Sequence, residues 1–125
     1  MRILFLDDDE KRQKRFRSEV PFCQQVRTAE EAIDALFVES YDLICLDHDL
    51  GGEVFVDPNR LDTGSEVVRR LVSDLLERQN KAEIVVHSYN EDASADMVML
   101  LRNYGFRANY CPFGSGSFWE RVSSP

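Results

Sequence analysis

The sequence predicts a single α/β domain built on a doubly wound, five-stranded parallel sheet. Three observations lead there. Short continuous apolar runs alternate with longer segments of helical period, the pattern of parallel βα units. The first run, ILFL, has no polar alternation, as a strand covered on both faces requires. A chain of 125 residues also fits one domain that can close a core without staples.

The elements follow in order. Ile3–Leu6 is the first strand, and a mostly polar helix begins near Glu10, with Phe16 and Val20 as core contacts and Pro21 as its stop. A weak second strand covers 23–27. Thr28 and Glu31 form a T-x-x-E capping box, behind which Ala29, Ala32, Ile33, Leu36 and Phe37 share one helix face. The third strand is 42–46, ending at Asp47. After Gly64, Val67, Val68, Leu71, Val72, Leu75 and Leu76 recur at helical spacing. Residues 84–87 form the fourth strand. Met97, Leu100, Leu101 and Tyr104 give the next helix a buried stripe, with Gly105 at its C-terminal end. A short fifth strand at 107–111 and a last helical turn at 118–122 complete the chain. Gly and Ser at 114–117 read as a flexible turn, or as a backbone cradle for an anion. Five strands interleaved with helices suggest the flavodoxin-like order 2-1-3-4-5, in which ligands sit past the carboxyl ends of the strands.

Composition excludes several classes. The net charge of -8 opposes bulk binding to DNA. No stretch is apolar enough to span a membrane, and the run after Met1 and Arg2 is too short for a signal-peptide core. Cys23, Cys45 and Cys111 are widely spaced and contain no CxxC pair, which suits reduced thiols in a cytoplasmic protein. Five basic residues crowd between Lys11 and Arg17. That run reads as a solvated helix face, with a cationic wall beside a phosphate site as the sharper alternative.

The strand ends gather acid. Asp7, Asp8 and Asp9 follow the first strand, and Asp47 and Asp49 follow the third, its expected neighbour. Asp9 suits a helix cap. Asp7, Asp8 and Asp47 together would repel one another without a cation, and an all-oxygen set suits Mg²⁺ or Mn²⁺, which also bind phosphate oxygens.

These motifs resemble the receiver domains of two-component signalling over nearly the whole chain. ILFLDDDE resembles the receiver's first strand and acidic pair, at Asp7 and Asp8. YDLICLDHDL resembles its third strand, which implies Asp47 as a phosphoacceptor and places Asp49 where receivers ligate metal through a backbone carbonyl. Ser88 resembles the Ser/Thr that ends the fourth strand, and Pro112-Phe113 the Pro-Phe pair after the fifth. Two departures stand out. Receivers carry a lysine before that proline, and this chain has Cys111; the aromatic position of the fifth strand falls on Ala108, with Tyr110 nearby. The stretch from Asp47 to Gly64 is also long, so that residues 1–125 read as one receiver-like domain with an inserted loop at about 50–63. A loop of that length over a site suits a lid or substrate-binding element.

His48 and His87 are the chain's two histidines, and each flanks a pocket-forming strand end. Each alone suits a satisfied buried ring. Together they can supply the acid and base of phosphodiester cleavage. The DHDLGG stretch and the HSYN segment from His87 to Asn90 resemble one subfamily, the receiver-like domains predicted to process cyclic phosphates and associated with RNA repair. That resemblance implies a metal-dependent phosphoesterase acting on a cyclic phosphate of a nucleotide or RNA end. The expected scheme has a metal at Asp7, Asp8 and Asp47, His48 and His87 as acid and base, and Ser88 and Asn90 on the phosphate oxygens. The alternative is an atypical receiver or a non-catalytic interaction module, with Asp47 as phosphoacceptor.

Overall fold

In the computed structural model, which describes residues 1–50, 57 and 59–123, the strands run parallel in the order β2-β1-β3-β4-β5. They are β1 (Ile3–Leu6), β2 (Cys23–Val26), β3 (Leu43–Leu46), β4 (Glu83–Val86) and β5 (Arg107–Tyr110). The intervening helices are α1 (Glu10–Glu19), α2 (Ala29–Val38), α3 (Gly64–Asp74), α4 (Glu91–Asn103) and α5 (Gly116–Ser123). The doubly wound architecture expected from the sequence is the one observed, with strand ends within one residue of expectation.

Alternation along each strand sorts its side chains into two cores. Leu4, Leu6, Ile44, Leu46, Ile84 and Val86 pack with α2, α3 and α4 through residues such as Leu36, Leu71 and Met97. Phe5, Cys45 and Val85 point the other way and pack with Phe16 of α1 and Phe118 and Val122 of α5. The second core is aromatic: Phe5 stacks on Phe16 at 4.1 Å, and Phe118 meets Phe16, Phe113 and Trp119. Phe118 and Trp119 thus anchor the terminal helix. Arg15 covers the Trp119 ring at 5.1 Å.

Local chemistry sets the helix starts. Asp9 caps α1, its Oδ1 accepting from Lys11 N at 2.8 Å and Arg12 N at 3.4 Å. Thr28 and Glu31 form the expected reciprocal capping box on α2. Asn90 caps α4 through Ala93 N at 3.2 Å. Gly105, at φ 90°, ends α4 in the left-handed conformation that favours glycine.

Two apolar stripes run past their helices, and a third reaches solvent within the last turn of its own. Leu76 lies beyond the end of α3 and is exposed, Tyr104 is the exposed C-cap of α4, and Phe37 faces solvent near the end of α2. Helical spacing marks a face but not where the backbone leaves it, and these residues sit at that departure.

At the carboxyl edge, α3 docks directly on the end of β3. The Gly64 N–H donates to the His48 carbonyl at 3.1 Å, and a Cβ on Gly64 would lie 1.8 Å from the Asp47 carbonyl oxygen. Only a glycine allows that approach. Residues 51–56 and 58, half of the expected lid, lie outside the described residues; Leu50 and Thr63 on either side are buried. Among the described residues no helix is long and apolar enough to cross a membrane.

Candidate phosphate and metal site

Register decides which side chains meet past the strand ends. Leu6 pairs with Leu46, and Leu46 with Val86, so Asp7, Asp47 and His87 follow at the same level and on the same face. Their ligand atoms all lie within 4.8 Å of one another, and all three side chains are buried.

Asp7 is the hub. Arg12 reaches back from the first turn of α1 and grips it with a fork, Nε to Oδ2 at 2.8 Å and Nη2 to Oδ1 at 3.1 Å. The Asp9 N–H donates to Oδ1 at 2.9 Å, and His87 Nε2 lies 3.1 Å from Oδ2. Burial pushes the Asp7 carboxyl up, but the hydrogen bonds from His87, the Asp9 N–H and Arg12 outweigh it and hold it below its usual value. An ionised carboxylate only accepts, so His87 carries its hydrogen on Nε2. Burial lowers the His87 pKa against the pull of Asp7, which favours the neutral ring. It stacks on Phe5 at 4.9 Å, leaving Nδ1 buried without a partner.

Asp47 is the strained member. Its Oδ1 accepts the His48 N–H at 2.9 Å, while Oδ2 is buried with no hydrogen bond, 3.6 Å from Arg12 Nη2. Burial, then the negative charge of Asp7, raise its pKa to about 8. Asp8, half-buried beside it, adds a smaller push in the same direction.

A divalent cation fits this arrangement. The orphaned Asp47 oxygen beside Asp7 offers a metal oxygen donors it can neutralise, and His87 orients Asp7 as an outer partner would. Asp8 and Asp49 were expected in the same ligand set. Asp8 borders the cluster; Asp49 was expected there through its backbone carbonyl, and its carboxylate turns to His48.

His48 occupies a second, adjoining group. One residue beyond Asp47, it alternates to the other side of the sheet plane from His87. Its Nδ1 lies 3.0 Å from Asp49 Oδ1, and its Nε2 is buried without a partner. Asn90 Nδ2 approaches the same Asp49 oxygen at 3.4 Å, and the Asn90 N–H donates to Ser88 Oγ at 3.1 Å. The two rings, expected together as acid and base, are set apart: His87 lies with the acids on one face, and His48 lies with Asp49 and Asn90. At the end of β4, the residue level with Asp47 is His87; Ser88 is one step further and turned away.

Sequence reasoning left Arg12 in an undifferentiated basic run. Its neighbours on α1 do behave as a solvated face, Lys14 pairing with Glu10 and Arg17 with Gln25. The missed signal is that Arg12 stands four residues before buried Phe16, on the inward side of the helix.

A family model of the cyclic-phosphate processing receiver domain matches residues 2–103. The chain belongs to that family. Among solved structures, this receiver domain is similar to a CheY-like receiver domain from Methanospirillum hungatei, at 19% identity and a TM-score of 0.69, covering 98% of this chain and 90% of that one. It is similar at 20% identity to the response regulator TrrA from Thermotoga maritima in complex with Mg²⁺-BeF, with a TM-score of 0.68 and coverage of 98% and 96%. A response regulator from Burkholderia pseudomallei, with a phosphorylated aspartic acid, a calcium ion and citrate, is 20% identical, with a TM-score of 0.67. The match covers 98% of this chain, which spans 64% of that protein's length. At such identities the likeness establishes the fold. No curated protein sequence matches the chain significantly. Within the family frame, Cys111 stands before Pro112 and is buried in the aromatic core.

Proposed function

We propose that this receiver domain is a metal-dependent phosphoesterase that opens a cyclic phosphate of a nucleotide or RNA end. The observation that carries the reading is the buried cluster of Asp7, Asp47 and His87, with an Asp47 oxygen left without a hydrogen bond. Asp7 and Asp47 would hold the cation, Mg²⁺ or Mn²⁺, with Asp8 adding charge at the rim. Once bound, the cation supplies Lewis-acid polarisation of a phosphate oxygen.

The residues support a division of labour. His87, neutral and stacked in the core, keeps Asp7 aimed through its Nε2–H. It is a positioning residue in this scheme, because its one ring hydrogen is committed to Asp7 and its ring is stacked on Phe5. We assign the acid–base role to His48. Asp49 pins its Nδ1–H, which leaves an unbonded lone pair on Nε2. In this scheme water attacks phosphorus as His48 Nε2 takes its proton, the ring P–O bond breaks, and His48 returns the proton to the departing alkoxide. Asn90 steadies Asp49, and Ser88 holds the turn that presents Asn90.

The test is ³¹P NMR with Mg²⁺ or Mn²⁺ and a panel of 2′,3′-cyclic nucleotides, RNA ending in a cyclic phosphate, and ADP-ribose cyclic phosphate. A strained-ring signal should give way to a monoester, and His48→Ala should slow this about a hundred-fold or more. Every ring surviving in the presence of folded, cation-bound protein would remove the enzyme reading.

One observation favours a second reading, an atypical receiver phosphorylated on Asp47. The unbonded Asp47 Oδ2 faces a cation, Arg12, at 3.6 Å. Labelling by a small phosphodonor with Mg²⁺, abolished by Asp47→Asn, is what that reading requires.

A further inference from the structure

We propose that Arg12 is a built-in counter-cation that a divalent ion displaces from Asp7 and Asp47, and that the displaced guanidinium then binds the phosphate. The cation half stands on geometry alone. The phosphate half rests on the phosphate chemistry proposed above.

One guanidinium spans both carboxylates. It forks onto Asp7 at 2.8 and 3.1 Å and lies 3.6 Å from Asp47 Oδ2. Those are the groups whose oxygens, with His87, converge within 4.8 Å. Both Asp7 oxygens are already engaged, Oδ1 by Arg12 and the Asp9 N–H, Oδ2 by Arg12 and His87. A divalent ion on the same oxygens meets a positive charge at contact range, where repulsion in a half-buried site is strong. The two cations exclude each other.

The surroundings provide somewhere for Arg12 to go. Its side chain is one-quarter exposed, and it hangs from the first turn of α1 at the pocket mouth. The Tyr89 ring lies 5.7 Å away and Asp9 Oδ2 lies 3.9 Å away, and both face solvent at that rim. A rotation of the flexible stem keeps the head over the pocket. There its planar fork matches two phosphate oxygens better than a point charge would. The position before Pro112, where receivers carry a lysine, holds buried Cys111. Arg12 brings a positive charge to the Asp7–Asp47 pocket from α1.

The experiment uses the full chain and reads binding. Mn²⁺ affinity is measured by titration calorimetry for the wild type, Arg12→Gln and Arg12→Lys, followed by inorganic phosphate binding to each Mg²⁺-loaded protein. Arg12→Gln should bind Mn²⁺ roughly ten-fold more tightly, the size of a contact-range coupling, and should lose phosphate binding. Arg12→Lys should keep near-wild-type Mn²⁺ affinity and bind phosphate more weakly than the wild type. In the wild type itself, the Arg12 Nε–H NMR resonance should shift as Mg²⁺ is added, which keeps the test independent of how the variants fold. An unmoved resonance, or Mn²⁺ affinity unchanged in Arg12→Gln, overturns the displacement. Unchanged phosphate affinity in Arg12→Gln overturns the phosphate role. Turnover of cyclic phosphates enters neither readout, so this inference and the enzyme reading fail separately.

Discussion

At the residue scale, the pocket is governed by how few partners each charged group has for its depth. Asp7 is fully buried and depends on Arg12, His87 and the Asp9 N–H. Asp7→Asn keeps the shape but leaves the guanidinium facing a neutral amide. In metal-free protein we expect a loss of about 3 kcal/mol, read by urea unfolding, because two charge-assisted hydrogen bonds go and only the longer approaches to Asp47 and Asp9 remain. The acids themselves were legible in sequence, since they sit at strand ends that composition marks clearly. The division between the histidines was legible only by counting. LICL and EIVV are in register, so Asp47 and His87 fall level, and His48 falls one step on. Reading both rings simply as adjacent to strand ends erased the period of two that separates them. Arg12 was hidden for another reason: five basic residues in one run mask the one that turns inward.

The elements were readable where burial is continuous and poorly readable where it stops. Strands β1, β3 and β4 are apolar enough to announce themselves, and the Thr28–Glu31 box announces α2. Leu76 and Tyr104 misled because a periodic stripe carries no information about the cap that ends it. The docking of α3 on β3 is the element-scale feature most exposed to a single change. Gly64→Ala places a methyl 1.8 Å from the Asp47 carbonyl oxygen, so strand end and helix start must separate. We expect a cost of about 3 kcal/mol, together with weaker cation binding, because the displaced peptide is the one that carries Asp47. A thermal melt and a Mn²⁺ titration of this variant check both parts.

On the scale of the whole molecule, the pocket makes stability depend on pH in a direction unusual for a carboxylate. Asp47 has its folded pKa raised to about 8, above the usual 3.8, so the folded state holds a proton that the unfolded state has released. Stability from this group is full below pH 3.8 and is lost as pH rises towards about 8. His87 acts oppositely. Its lowered folded pKa gives stability that is present above pH 6.5 and lost as pH falls below it. Between pH 6.5 and about 8 the Asp47 effect therefore stands alone. In chelator-treated protein the melting temperature should fall across that window, and Asp47→Asn should flatten the descent. A bound divalent cation should flatten it too, releasing the Asp47 proton as it binds. A melting temperature that rises from pH 6.5 to 8 in metal-free protein would contradict the assignment.

The hydrogen bond between Gly64 and the His48 carbonyl closes a neck. The chain leaves the pocket at His48 and returns to it at Gly64, 3.1 Å away, with Leu50 and Thr63 buried on either side. For a stretch tied off in this way, doubling its length adds only about 0.6 kcal/mol of closure entropy. The acids below are held by strands and α1, on the far side of the tie. Insertions, deletions and exchanges between Leu50 and Thr63 therefore leave Asp7, Asp47 and the Asp49 carboxylate on His48 in place, which would give the enzyme proposed above a low-cost route to new substrates.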